Sequence, residues 1–253
     1  MEENKFKFPT EMVDLPSKGL LYPENHPLAS GQVEMKYMTA REEDILTNQN
    51  YIKQGVVVDK LLQSMIVTKF DYSDLLVGDK DAIMLAARVL GYGKDYTFNH
   101  YSANLEGTNE LTIDLTLLKE KMLDESLITR GKNEFHFKLP HTGNEITFKM
   151  LTHGDELNVD KEIQGLKKID KNSNFDMTTR LRHIILSVNG DYDKKTIREF
   201  IEYGFLAKDS RAFREYVNTI SPGIDLNYTY TYANGEEEDI EIPIGVNFFW
   251  PDA

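Results

Sequence analysis

Three short stretches hold residues of types that can do chemistry. Asn189, Asp191 and Asp193 stand at alternate positions in NGDYDKKTIREF, the way an EF-hand calcium loop begins. That loop also needs glycine at its sixth position and glutamate at its twelfth; here these are Lys194 and Phe200. The spacing reads instead as Asp193 capping a helix that starts at Lys194. In LTHGDE, His153 stands beside Asp155 and Glu156, residue types suited to a metal site or an acid/base pair. The residue four on from His153 is Leu157, so no one-face ligand pair forms at that spacing. Thr152 as N-cap with acids in the first helical turn explains the same letters. The third stretch, GYG at 91–93, follows a predicted helix rather than a strand and lacks a third glycine, so it is no dinucleotide cradle.

Nothing else in the chain suggests catalysis. There is no cysteine, which removes thiol chemistry, disulfides and thiolate metal sites. No G-x-S-x-G, Walker A or H-E-x-x-H string occurs, and the other histidines show no ligand spacing. No catalytic residue, cofactor site or metal site is predicted.

The elements that would position these residues follow from periodicity. QVEMKYMT (32–39) alternates and runs into a capping box, Thr39 with Glu42 three residues on, which starts a helix in AREEDILTN. A second helix is predicted from Val57 to Thr68. A third runs through DKDAIMLAARVLGYG with Ile83, Ala86, Ala87 and Leu90 on one face and Gly91 as C-cap. Short alternating runs fill 95–151, with PHTG turning the last two into a hairpin and a short helix at LLKEKMLDESLI. Helical stripes return from Thr152: Leu181, Ile184, Ile185 and Val188; then Ile197, Phe200 and Ile201; then Phe213, Tyr216, Val217 and Ile220. A hairpin around Asn234-Gly235 ends the pattern. The fold class is therefore α+β: a mainly helical body, a β-rich insertion, an N-terminal extended arm and a C-terminal β-hairpin. The segments divide at 1–94, 95–151 and 152–253, forming one compact unit or two packed lobes.

The net charge of −13 over 253 residues disfavours nucleic acid and anionic membrane as partners. The acidic block GEEED at 235–239 reads as a solvated hairpin tip. No run of eighteen apolar residues occurs, and MEENKFKFP has no apolar core of a signal peptide. The N-terminal DLPSKGLLYPENHPL is too rich in proline to be a helix and too apolar for a solvated leader. It reads as an ordered arm packed along its own domain or along a neighbour. Leu15, Pro16, Leu20, Leu21 and Tyr22 are its candidate docking residues. At the other end Phe248, Phe249 and Trp250 either close the domain or insert into a partner.

Taken in order, LPSKGLLYPENHPL, VEMKYMTAREEDILTNQNYI, VVDKLL, LLVGDKDAIMLAARVLGYG, LTHGDE, TRLRHIILSVNGD, TIREFI, KDSRAFREYV and IPIGVNFFWPDA carry a family likeness. They resemble the baseplate hub subunits and hub assembly proteins of T-even-type contractile-tailed bacteriophages, from about residue 14 to 253. The resemblance implies a non-enzymatic hub component or assembly factor that works through protein-protein contacts during tail morphogenesis. It implies other baseplate hub or tail proteins as partners, with no nucleic acid, membrane, small-molecule substrate or cofactor. The implied location is the host cytoplasm during assembly and the tail baseplate of the virion. Two alternatives stand beside it: a transient tail assembly chaperone absent from the mature virion, and an enzyme with an unrecognised site.

Overall fold

The chain enters the fold as a hairpin: β1 (Thr10–Asp14) runs antiparallel to β2 (Gln32–Lys36), with Val13 opposite Val33. The computed structural model describes residues 9–102, 107–121, 123–170, 175–244 and 248–250. Residues 15–31 fold back between these strands as successive tight turns, where the sequence predicts extended geometry. Lys18 N donates to Leu15 O at 2.7 Å, Leu20 N to Ser17 O at 3.0 Å and Tyr22 N to Gly19 O at 3.3 Å. Lys18 and Gly19 both have positive φ, 51° and 72°, which reverses the chain. A Cβ on Gly19 would lie 2.6 Å from Gly31 N, so glycine is what lets the two ends of the loop touch. Proline excludes helix here, but its fixed φ also suits turns.

The predicted capping box opens α1 (Ala40–Leu46). A short α2 (Gln49–Gln54), capped by Asn48 and stopped by Gly55, was not expected. Helix α3 (Val57–Met65) ends before Thr68 because Ile66 bridges Met35 and Val67 N bonds Glu34 O at 2.8 Å, extending the sheet at β2. Helix α4 (Val77–Tyr92) runs through Gly91 and is capped by Gly93. Gly91 instead lies against the Met38 side chain: a Cβ there would sit 2.6 Å from Met38 Cε, so that flexible end would have to move.

Strands β3 (Asp95–Ser102) and β4 (Gly107–Asp114) form a second hairpin. The short helix expected next is replaced by two 3₁₀ turns, Leu115–Leu117 and Glu125–Leu127. Asp114 and Asp124 each accept the amide two residues on, which closes a tight turn rather than an α-turn. Between the turns, Lys121 N bonds Gly223 O and Asp225 N bonds Lys119 O. The three-stranded sheet has the order β5 (Phe135–Lys138), β6 (Glu145–Phe148), β7 (Ile185–Val188). The stripe Leu181–Val188 is thus not one helix. Helix α6 (Asp176–Ile184) stops and β7 begins, because β6 offers a ladder partner that a short apolar run cannot reveal by itself.

Helix α5 (His153–Ile169) starts at the second capping box, Thr152 with Asp155. Helix α7 (Lys194–Glu199) starts at Asp193, whose carboxylate accepts from Lys195 N and Thr196 N. It continues into a π-helical turn, Phe200–Gly204, and then α8 (Ala207–Ile220). Strands β8 (Asn227–Thr231) and β9 (Glu237–Glu241) make the C-terminal hairpin. Of its turn pair only Gly235 has positive φ, so a longer loop closed by Tyr232 N to Glu236 O replaces a two-residue turn. One continuous core joins these parts, with Met35, Leu62, Ile83, Phe148, Phe213 and Phe248 fully buried.

Candidate docking site

The N-terminal loop is locked to α4 by one buried carboxylate. Helix α4 begins after Leu76, which has no capping side chain, so its first amides need partners from elsewhere. The Tyr22 hydroxyl supplies one: it accepts from Leu76 N at 3.0 Å and donates to Asp79 Oδ2 at 2.7 Å. Asp79 also accepts from Ser17 N at 2.8 Å and Ser17 Oγ at 2.7 Å. Burial pushes the Asp79 carboxyl up, against the pull of these three donors, and burial raises the Tyr22 phenol as well. Leu15, Pro16, Leu21 and Tyr22 are accordingly buried in their own chain, and Leu20 is half-buried. Of the two acceptors open to this arm, its own domain or a neighbour, this burial favours its own domain, with Tyr22 part of the lock.

The C-terminal aromatics also turn inward. Phe248 and Phe249 are fully buried, and Trp250 is half-buried. Phe248 packs edge-on against Tyr96 at 5.1 Å and against Phe249 at 5.1 Å, while Tyr96 OH donates to Pro243 O at 2.9 Å. Of the two alternatives for this triplet, the burial of Phe248 and Phe249 in their own chain favours closure of the domain.

An open cavity lies where the segments meet. A cavity of about 250 Å³ opens between the start of α4, the link from β6 to α5, α6 and the end of α8. Its apolar walls include Leu76, Val77, Met150, Val217 and Pro222, and Asp81 faces it from α4. Gly78 makes this junction close: a Cβ there would stand 1.9 Å from Pro222 O. Burial pushes the Asp81 carboxyl up to about 6, with Glu156 and Asp79 adding to the rise and Lys80 and Lys121 opposing it.

The family model for T4 bacteriophage base plate proteins matches residues 10–250 of this chain. The chain belongs to that family. No curated protein and no solved structure matches it. The family match runs from β1 to Trp250, so the lock, the cavity and the aromatic closure all lie within the base plate protein's family region.

Other polar clusters in this base plate protein are occupied internally. Glu42, fully buried, accepts from Lys36 Nζ at 2.8 Å, Ser64 Oγ at 2.6 Å and Thr39 Oγ1 at 2.6 Å. Burial works to raise its pKa, but these donors together hold it at about 2. Asp209 anchors the PHTG turn through His141 N at 2.8 Å and Thr142 Oγ1 at 2.7 Å. His153, named for possible metal or acid/base work, lies edge-on to Tyr72 at 4.7 Å with Nδ1 3.4 Å from Lys80 Nζ. Lys80 in turn pairs with Asp59 at 2.6 Å, and burial lowers the His153 pKa. Among the described residues no group of three His, Cys, Asp or Glu is placed to hold a metal, and no helix is long and apolar enough to cross a membrane. Asp79, Asp81 and Asp209 went unremarked in the sequence, because each acquires its meaning from residues far away along the chain.

Proposed function

We propose that this base plate protein works in the central hub, as a subunit or as a factor that assembles it, through protein-protein contacts and without catalysis. The observation that carries the reading is the family match across residues 10–250. The resemblance of the ordered strings from LPSKGLLYPENHPL to IPIGVNFFWPDA to hub proteins narrows it to the hub. The wiring of the polar groups supports it: Glu42, Asp79 and Asp209 are held by donors of their own chain and serve to fix loops and helix starts. A body whose N-terminal loop and Phe248–Phe249 pair pack into its own core suits a part that must present fixed surfaces to neighbours.

Quantitative mass spectrometry of purified virions, base plate precursors and infected-cell lysate tests this. Several copies per virion identify a subunit. Enrichment in precursors with loss from virions identifies a factor that departs. Absence from both contradicts the proposal.

A further inference from the structure

Asp81 is chemically out of place. Among the described residues it is the one half-buried or buried carboxylate that has neither a hydrogen bond nor an ion pair of its own. Asp79, two residues before it, has three donors. Asp59 holds Lys80 at 2.6 Å and Tyr72 OH at 3.1 Å. A carboxylate partly withdrawn from water, with Lys80 and Lys121 acting on it only at a distance, costs free energy, and such a cost is retained where a site serves binding.

The surroundings say what Asp81 lacks. The basic groups around the cavity each have a hydrogen-bond partner other than Asp81, and Lys121 acts on it only at a distance. Lys149 Nζ reaches both Asp155 oxygens at 2.7 Å, Arg180 pairs with Glu156 at 3.3 Å, and Lys121 Nζ points to Asn218 Oδ1 at 3.4 Å. The walls are aliphatic, which suits the methylene stem of a long basic side chain whose head seeks a carboxylate.

We propose that this cavity is a docking pocket for one basic side chain of a partner protein, an arginine or lysine. Its stem lies along Leu76, Val77, Met150 and Val217, and its cationic head pairs with Asp81. The proposal rests on the reading that the protein acts through protein contacts, and it names the chemistry of one such contact.

The test uses the full chain with methyl-labelled leucine, isoleucine and valine, and butylguanidinium as the probe, followed by NMR titration. The methyls of Leu76, Val77, Ile184 and Val217 should shift together and saturably. Asp81→Asn should weaken the binding by at least about tenfold, the loss expected for a charge-assisted pair. In the unmutated chain the affinity should fall as pH is lowered through about 6, where Asp81 takes up its proton. This arm stands even if the variant folds poorly. The inference is overturned if the probe shifts none of these methyls, if neutral pentanol binds as tightly, or if affinity is the same in Asp81→Asn and unchanged across that pH range. Tighter binding of putrescine than of butylguanidinium would also overturn it, pointing to a free polyamine. None of these outcomes depends on where in the phage tail the protein resides, so failure here is separable from failure of the hub assignment.

Discussion

Replacing Tyr22 by phenylalanine removes one oxygen and keeps the ring, so the loss falls on hydrogen bonding and not on packing. That oxygen is the acceptor for Leu76 N and a donor to Asp79, and Tyr22 is only 4 % exposed, so water cannot take its place. The stranded amide and the weakened carboxylate together cost about 3 kcal/mol, from about 1–3 kcal/mol for a buried group left unsatisfied plus the bond to a charged acceptor. For a chain of this length, where 1 kcal/mol moves Tm by roughly 2–4 °C, the drop should be on the order of 6–12 °C. The variant also has a pH signature. Asp79 already has a raised carboxyl; losing a donor raises it further. A group raised on folding contributes stability below its unfolded value and loses it as pH rises through its folded value. The penalty of Tyr22→Phe should therefore be larger at pH 8 than at pH 4. Calorimetry at both pH values, with the exposed Tyr101→Phe as control, measures it. A drop no larger than the control's, or a penalty that shrinks as pH rises, would refute the lock.

Four further outcomes follow from the same structure. Gly78→Ala should destabilise by at least about 2 kcal/mol, because its Cβ meets the Pro222 carbonyl oxygen. Gly165→Ala, in an exposed turn of α5 with nothing within 4 Å, should stabilise by roughly 0.5–1 kcal/mol in denaturant unfolding. Phe248→Ala should cost about 3–5 kcal/mol in the isolated chain, since the ring is fully buried; an unchanged Tm with loss of partners would restore the insertion alternative. Glu42, held at about 2, contributes stability that is present above about 4.5 and lost as pH falls toward 2, so Glu42→Gln should flatten that part of the acid-unfolding curve.

What was legible in the sequence was what is encoded within a few residues. The Thr39/Glu42 box, the Thr152 cap and the Asp193 cap each close over two or three positions, and each helix starts where its letters say. Elements decided by distant partners were not. Ile185–Val188 is a strand because β6 lies beside it, and 119–121 is extended because 223–225 takes up its backbone. The lock joins Tyr22 to Asp79 across 57 positions, and the PHTG turn waits for Asp209 across 67. The apolar letters of the N-terminal loop and of Phe248 and Phe249 mark segments that pack into their own chain. The cavity left no trace in the letters, since its walls come from five separated segments.

Cross-linking mass spectrometry of purified base plate precursors tests the central claim most directly. Cross-links from this chain should converge on proteins of the central hub, with Lys121 and Lys149 beside the cavity among the linked positions. Cross-links confined to proteins at the base plate periphery, or none to any base plate protein, would contradict the account.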